Sequence, residues 1–308
     1  MTGVPGTVLV GVDDTPHSWL AAEWAATEAE LRGGSLRIVH ALGPGPEVGY
    51  DETGAGLTRE VFEAATGQVD AGRARIGAAH PGLRVDAVLA HDRPAEAILD
   101  SAGDADLIVV GTRGRGGFAG LLLGSVSLKV AAHADRPVAV VRERPEAAED
   151  AGVVVGVRDD RDEEAVRFAV VEAARRRTPL RVVHAWTPVV WAGELAPPPE
   201  LREEEQHRHR VLLSRAARPA AEYPHVRIET DLVADSPAAA LVEASQRATL
   251  VVLPRHPAEG RLGLRLGSVT TRCSTSSVAS SGMPLHASGG DSFSPSYAYL
   301  RARTAWSF

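Results

Sequence analysis

Five short segments occur twice in this chain, in the same order and at nearly constant separation. Val8-Leu9-Val10-Gly11-Val12-Asp13-Asp14 returns as Val153-Val154-Val155-Gly156-Val157-Arg158-Asp159. Leu36-Arg37-Ile38-Val39-His40-Ala41 returns as Leu180-Arg181-Val182-Val183-His184-Ala185. Asp92-Arg93-Pro94-Ala95 is matched by Asp235-Ser236-Pro237-Ala238, and Leu107-Ile108-Val109-Val110 by Leu250-Val251-Val252-Leu253. Gly124-Ser125-Val126-Ser127 is matched by Gly267-Ser268-Val269-Thr270. The separation drifts only from 145 to 143 residues. A duplication of this kind fixes the architecture before any single element is assigned. The 308 residues also suit about two domains of roughly 150 residues. We therefore expect domains at 1–143 and 152–286, a linker at 144–151, and an atypical tail at 287–308.

Each copy alternates short β-branched runs with longer helical stretches. In the first copy, strands are expected at Val8–Val12, Leu36–Ala41, Leu83–Ala90, Leu107–Val110 and Pro137–Val141. Helices are expected at Thr15–Leu31, Leu57–His80, Arg93–Ala102 and Ser125–Ala134. Gly33-Gly34 should stop the first helix, and Pro94 suits the first turn of the third. Pro44–Gly56 reads as a mobile loop, with Ala196–Glu205 as its counterpart. The acidic run Glu203-Glu204-Glu205 reads as a solvated helix start. Strands that are apolar throughout are covered on both faces. The fold class is therefore α/β: two tandem open-sheet, Rossmann-like domains, each with a mostly parallel five-stranded sheet and helices on both faces.

The chemistry concentrates in Gly111-Thr112-Arg113-Gly114, then nine residues, then Gly124-Ser125. This segment follows the fourth strand, and open parallel sheets bind ligands beyond the carboxyl ends of their strands. Glycines let the backbone turn tightly against a ligand, and successive N–H groups form an anion-binding nest. Ser125 can cap the helix that starts there, whose N-terminus favours phosphate. The hydroxyls of Ser125 and Ser127 can add donors, and Arg113 can pair with a phosphate. Asp13 closes the first strand at the same sheet end and can accept hydrogen bonds from ribose hydroxyls. Backbone groups near Ala41 could meet a base. No G-x-x-x-x-G-K-[ST] stretch occurs, so this is not a P-loop. His40 and His184 occupy matching strand ends and read as packing histidines. The histidines form no coherent ligand set, so a dedicated metal site is not expected, although Mg²⁺ could accompany a triphosphate.

Gly-x2-Gly-x9-Gly-Ser after a strand, together with the N-terminal Val-Gly-Val-Asp, is similar to the ATP-binding class of the universal stress protein family. The resemblance covers Thr7–Val141 and then Gly152 to about Thr270. It implies an adenine nucleotide alpha hydrolase-like sheet, ATP as the ligand, and a homodimer. By that likeness the binding positions are Gly11, Val12, Asp13, Ala41, Val110, Gly111, Gly114, Gly124, Ser125, Val126 and Ser127.

The second copy departs from the pattern. Pro254 and Pro257 stand opposite Gly111 and Gly114, removing two N–H donors. Arg158 stands opposite Asp13 and reverses the charge. We expect little or no nucleotide binding there, unless Arg158, Arg255 and His256 take another anion. The stretch Thr271–Met283 is Ser-rich and lacks a β-branched strand, so the second sheet should lack its usual edge strand.

The formal net charge of −7 disfavours nonspecific nucleic-acid binding. One cysteine, Cys273, allows no internal disulfide and suits a reducing cytoplasm. No apolar run reaches the ~20 residues of a membrane helix. An ATP-responsive stress regulator is the leading reading, with an unidentified protein partner as a further expectation. A slow ATP hydrolase and a nucleotide-free scaffold remain open. No general base or water-orienting residue is evident beside the phosphate motif.

Overall fold

The strands form where apolar, β-branched runs can be buried from both sides. The computed structural model describes residues 6–13, 15–43, 54–112, 124–142, 152–188, 198–255 and 297–301, with the backbone alone over 54–61 and 297–301. In the first unit, β1 (Thr7–Val12) lies centrally. β2 (Ser35–Ala41) pairs with it in parallel, Val12 opposite His40. β4 (Ala105–Gly111) pairs on its other edge, Val10 opposite Val109. β3 (Arg84–Ala90) and β5 (Val138–Val141) extend the sheet outwards, giving the order β3-β2-β1-β4-β5, all parallel. Val8, Leu9, Val10, Leu107, Ile108 and Val109 are fully buried.

The connecting helices are α1 (Pro16–Leu31), α2 (Gly54–Ala79), α3 (Pro94–Asp100) and α4 (Ser125–His133). Right-handed crossovers put α1 and α2 on one face and α3 and α4 on the other. α2 starts at Gly54, so the last three residues of the expected loop are helical, while 44–53 lie outside the described residues. α1 ends on Gly33, whose φ is +63°. The N–H of Gly34 donates to the Ala29 carbonyl at 2.8 Å, satisfying a carbonyl of the last turn.

The second unit repeats this plan. Its strands are β6 (Val153–Gly156), β7 (Leu180–Trp186), β8 (Ile228–Ala234) and β9 (Leu250–Pro254), parallel in the order β8-β7-β6-β9. Its helices are α5 (Glu163–Arg176), α6 (Pro199–Ala216) and α7 (Pro237–Ser245). Glu203, Glu204 and Glu205 lie in the early turns of α6, as expected, and Glu203 and Glu204 are exposed. The edge strand was expected to be missing. Instead β10 (Tyr297–Arg301) pairs with β9, Tyr299 opposite Val252, but antiparallel. The Tyr-Ala-Tyr-Leu run of the tail is β-prone through its aromatics. The Ser-rich stretch at 271–283 lies outside the described residues.

The duplication reaches interactions that no motif reveals. Each copy's first helix hides a glutamate, Glu28 at 3% and Glu172 at 0% exposure. Arg32 lies 3.3 Å from Glu28, and Arg175 and Arg176 bond Glu172, as a buried carboxylate requires.

Helix α2 contains Gly72, where an added Cβ would sit 1.8 Å from the Trp19 ring of α1, whereas one at Gly77 would meet nothing. Replacing glycine by alanine inside a helix normally stabilises by about 0.5–1 kcal/mol. Gly77→Ala should raise the thermal midpoint accordingly. Gly72→Ala should lower it, at a cost of about 1–3 kcal/mol for overpacking. Calorimetric melts of the two variants test the sign, and a stabilised Gly72→Ala would contradict this packing.

Candidate functional site

The topological switch point of the first sheet lies between β1 and β4, because the chain leaves them towards opposite faces. Val12 ends β1 and Gly111 ends β4. Thr112 follows, 7% exposed, with its N–H donating to the Val141 carbonyl at 3.2 Å. Its carbonyl accepts from the Gly124 N–H at 2.7 Å. The backbone on either side of 113–123 is therefore joined at one point. The Ser127 hydroxyl, itself buried, donates to the Gly111 carbonyl at 2.6 Å. These bonds fix the first turn of α4 against the end of β4.

The start of α4 corrects two expectations. Gly124, not Ser125, is the N-cap residue, with extended backbone and no side-chain cap. Ser125 is the first helical residue and is exposed. The first intrahelical bond runs from Leu128 N–H to Gly124 carbonyl at 2.9 Å. The N–H groups of Ser125, Val126 and Ser127 precede it, at the positive end of the helix dipole. Ser127 has one hydroxyl hydrogen, and Gly111 takes it, so its side chain holds the frame instead of donating outward.

Asp13 follows β1 and is half-buried. Its carboxylate accepts from the Thr15 hydroxyl at 2.7 Å and the Thr15 N–H at 3.3 Å. Its N–H donates to the Ser18 hydroxyl at 3.2 Å. The Thr15 side chain also caps α1 by accepting from Ser18 N–H. The carboxylate is thus oriented at the strand end. Ala41 closes β2 at the same sheet end, opposite Ala90. Val12 and Val110 are buried strand residues, 6% and 3% exposed. Gly11 has a packing reason to be glycine, since a Cβ there would lie 2.4 Å from Ile98 Cδ1 of α3. Gly156 repeats this against Leu241 at 2.8 Å, so the shared glycine reflects helix–sheet packing. Arg113, Gly114 and Asp14 lie outside the described residues, as do His256, Pro257, Gly267 and Ser268.

The second unit offers different electrostatics at its matching edge. Asp162 stands where the first copy has Ser18, and its buried carboxylate accepts from Arg158 N–H at 2.6 Å. Arg158 Nε lies 3.4 Å from Asp159, and Arg161 bonds the same carboxylate at 2.6 Å. Hydrogen bonding from Arg161 holds Asp159 down at about 2. The carboxyl groups of Asp159 and Asp162 therefore flank the end of β6, and Arg158 is paired with the first of them. Pro254 ends β9, as the alignment with Gly111 predicts.

His40 and His184 are buried at 3% and 4% exposure, consistent with packing histidines. The sequence did not reveal what His184 does. Its Nδ1 lies 2.9 Å from the Val157 carbonyl, so that nitrogen donates. Its Nε2 then accepts from His209 Nδ1 at 2.8 Å. His209 stacks on His184 and on Trp186, with centroids at 5.0 and 4.8 Å. His91 stacks on Phe62 at 5.7 Å, and His133 Nδ1 lies 2.8 Å from the Lys129 carbonyl. Among the described residues no group of three or more His, Cys, Asp and Glu could hold a metal. Among them, too, no helix is long and apolar enough to cross a membrane.

The sheet order and its switch point define an open, doubly wound α/β protein carrying two copies of one unit. The chain belongs to the universal stress protein family, which it matches over residues 6–142 and 152–279. A universal stress protein of Mycobacterium tuberculosis strain H37Rv is 33% identical over 284 residues, covering 85% of this chain and 90% of that protein. A second from the same strain is 35% identical over 280 residues, with the same coverage of 85% and 90%. A universal stress protein structure from Archaeoglobus fulgidus DSM 4304 aligns with a TM-score of 0.65 over 97% of this chain and 99% of that one. At 16% identity it speaks for the fold alone.

The His209 ring is held below the ordinary imidazole value of 6.5, first by burial and then by the neighbouring His184. Glu205 opposes that depression and Arg208 adds to it. The unfolded chain then binds more protons than the folded one, so this contribution is lost as pH falls below about 6.5. His209→Phe keeps a ring and removes the titration. Urea midpoints followed from about pH 7.5 to about 5.5, the histidine range, should drop more steeply for the wild type. Equal slopes would contradict the assignment.

Proposed function

We propose that the first unit binds an adenine nucleotide, ATP foremost, across the switch point between β1 and β4. The phosphates would lie against the N–H groups of Ser125, Val126 and Ser127, and the ribose against Asp13. The base would lie towards Ala41. The observation that carries this reading is the start of α4: a helix N-terminus anchored to the sheet and capped by a residue with no side chain. Family membership and the Gly111-x2-Gly114-x9-Gly124-Ser125 spacing support it. Val110, Gly111, Arg113 and Gly114 belong to the proposal as the phosphate loop, with Gly11 and Val12 as the floor beneath the ribose. Magnesium would arrive with the triphosphate.

The chain would act as a regulator whose assembly or partner contacts respond to the nucleotide. The second unit would serve as scaffold. Dimerisation and a protein partner are the routes by which such a signal could leave the molecule. The described site offers no group poised as a general base, and Asp13 is engaged by Thr15. Binding without turnover is therefore the reading favoured over hydrolysis.

Two variants test the site by calorimetric ATP titration. Asp13→Ala should weaken ATP about tenfold or more, the loss of a charge-assisted hydrogen bond of ~1.5–3 kcal/mol. Gly124→Asp should place a capping carboxylate on α4. It should hold or raise thermal stability while weakening ATP at least as strongly. Phosphate release should stay at background in the wild type. Wild-type affinity in both variants would refute the site, and release well above both variants would favour the enzyme.

A further inference from the structure

Strand order fixes which parts of the first sheet's carboxyl edge lie side by side. The strands run β2-β1-β4-β5. Asp13 follows β1, and the N-terminus of α4 is held against the end of β4. β5 lies on the side of β4 away from β1, and Arg142 follows it directly. The Val141 carbonyl accepts from Thr112 N–H at 3.2 Å, and the Thr112 carbonyl accepts from Gly124 N–H at 2.7 Å. Arg142 is therefore joined through its neighbour Val141 to the first turn of α4, on the side away from Asp13.

Arg142 is half-buried, and its Nη1 is buried with no hydrogen-bond partner among the described residues. Other arginines of this unit are engaged. Arg37 bonds Asp104, Arg75 bonds Glu23, and Arg136 donates to the Gly103 carbonyl. A guanidinium carries five N–H donors, accepts nothing and stays protonated. Burying one of its charged donors without an acceptor is costly. The partner that relieves this cost is an anion whose oxygens meet the planar fork. A phosphate group has that chemistry, and the adjacent helix N-terminus favours the same charge.

Neighbouring strands lie about 4.8 Å apart, so roughly 10 Å of sheet edge separates β1 from β5. A single phosphate on a ribose held at Asp13 does not bridge that span, whereas a triphosphate chain passing the start of α4 does. We propose that Arg142 takes the terminal phosphate of the nucleotide and makes the first unit selective for ATP over AMP. This inference rests on the nucleotide reading of the first unit and adds a specificity-determining residue that lies outside the glycine motif.

The test titrates ATP and AMP by calorimetry, with magnesium, against the full chain as wild type, Arg142→Gln and Arg142→Lys. The wild type should prefer ATP. Arg142→Gln should lose about tenfold in ATP affinity, the scale of one charge-assisted hydrogen bond, and leave AMP unchanged. Its thermal midpoint should hold, because no ion pair among the described residues is broken. Arg142→Lys keeps the charge without the fork and should fall between the two for ATP. Unchanged ATP affinity in Arg142→Gln, or an equal loss for ATP and AMP, overturns the inference and leaves the nucleotide reading standing. A wild type that binds neither nucleotide overturns both. Should Arg142→Gln misfold, Arg142→Lys decides alone: a loss confined to ATP supports the contact, and an ATP-to-AMP ratio equal to the wild type's overturns it.

Discussion

One buried hydrogen bond organises the carboxyl edge of the first unit's sheet. The Ser127 hydroxyl donates to the Gly111 carbonyl at 2.6 Å and so fastens the first turn of α4 to the last residue of β4. The bond from Gly124 N–H to Thr112 carbonyl closes the same junction. Donors aimed at an anion are effective when held in advance, because no reorganisation is then needed on binding. A helix end that could swing free of the sheet would lose that advantage. With Gly124 as cap, no side chain competes for the leading N–H groups.

Charge separates the copies more sharply than shape does. Both have the glycine that admits a helix close to the central strand, Gly11 against Ile98 and Gly156 against Leu241. Both have a buried Glu–Arg arrangement on the first helix. Beyond the central strand they diverge. Asp13 is oriented by Thr15, with the start of α4 at the same sheet end. Arg158 is paired to Asp159, and Asp162 replaces the Ser18 hydroxyl with a carboxylate. Duplication has therefore kept the scaffold and given the two central strand ends different side-chain pairings.

Much of this was legible in the sequence. The repeat and the β-branched runs located the strands to within a residue or two, since a strand buried on both faces needs an apolar residue at nearly every position. Gly33 and Pro94 marked helix ends through backbone chemistry alone. What stayed hidden depends on contacts between segments far apart in the chain. Ser125 looks like a cap, but the extended backbone of Gly124 takes that place. Ser127 looks like a ligand donor, but Gly111 claims its hydrogen. Gly11 looks like a ligand glycine, and its neighbour is Ile98. His209 sits in a polar, mostly exposed helix, and nothing in its local sequence announces the stack with His184 and Trp186. The strand β10 was missed because its partner β9 lies more than forty residues earlier and runs in the opposite direction.

The central claim is that this tandem universal stress protein holds one nucleotide site per chain, in its first copy. The stoichiometry of ATP binding to the full chain, measured calorimetrically with an accurately determined active concentration, tests it directly. The account predicts one ATP per chain. Two ATP per chain would contradict the asymmetry, and none would contradict the site.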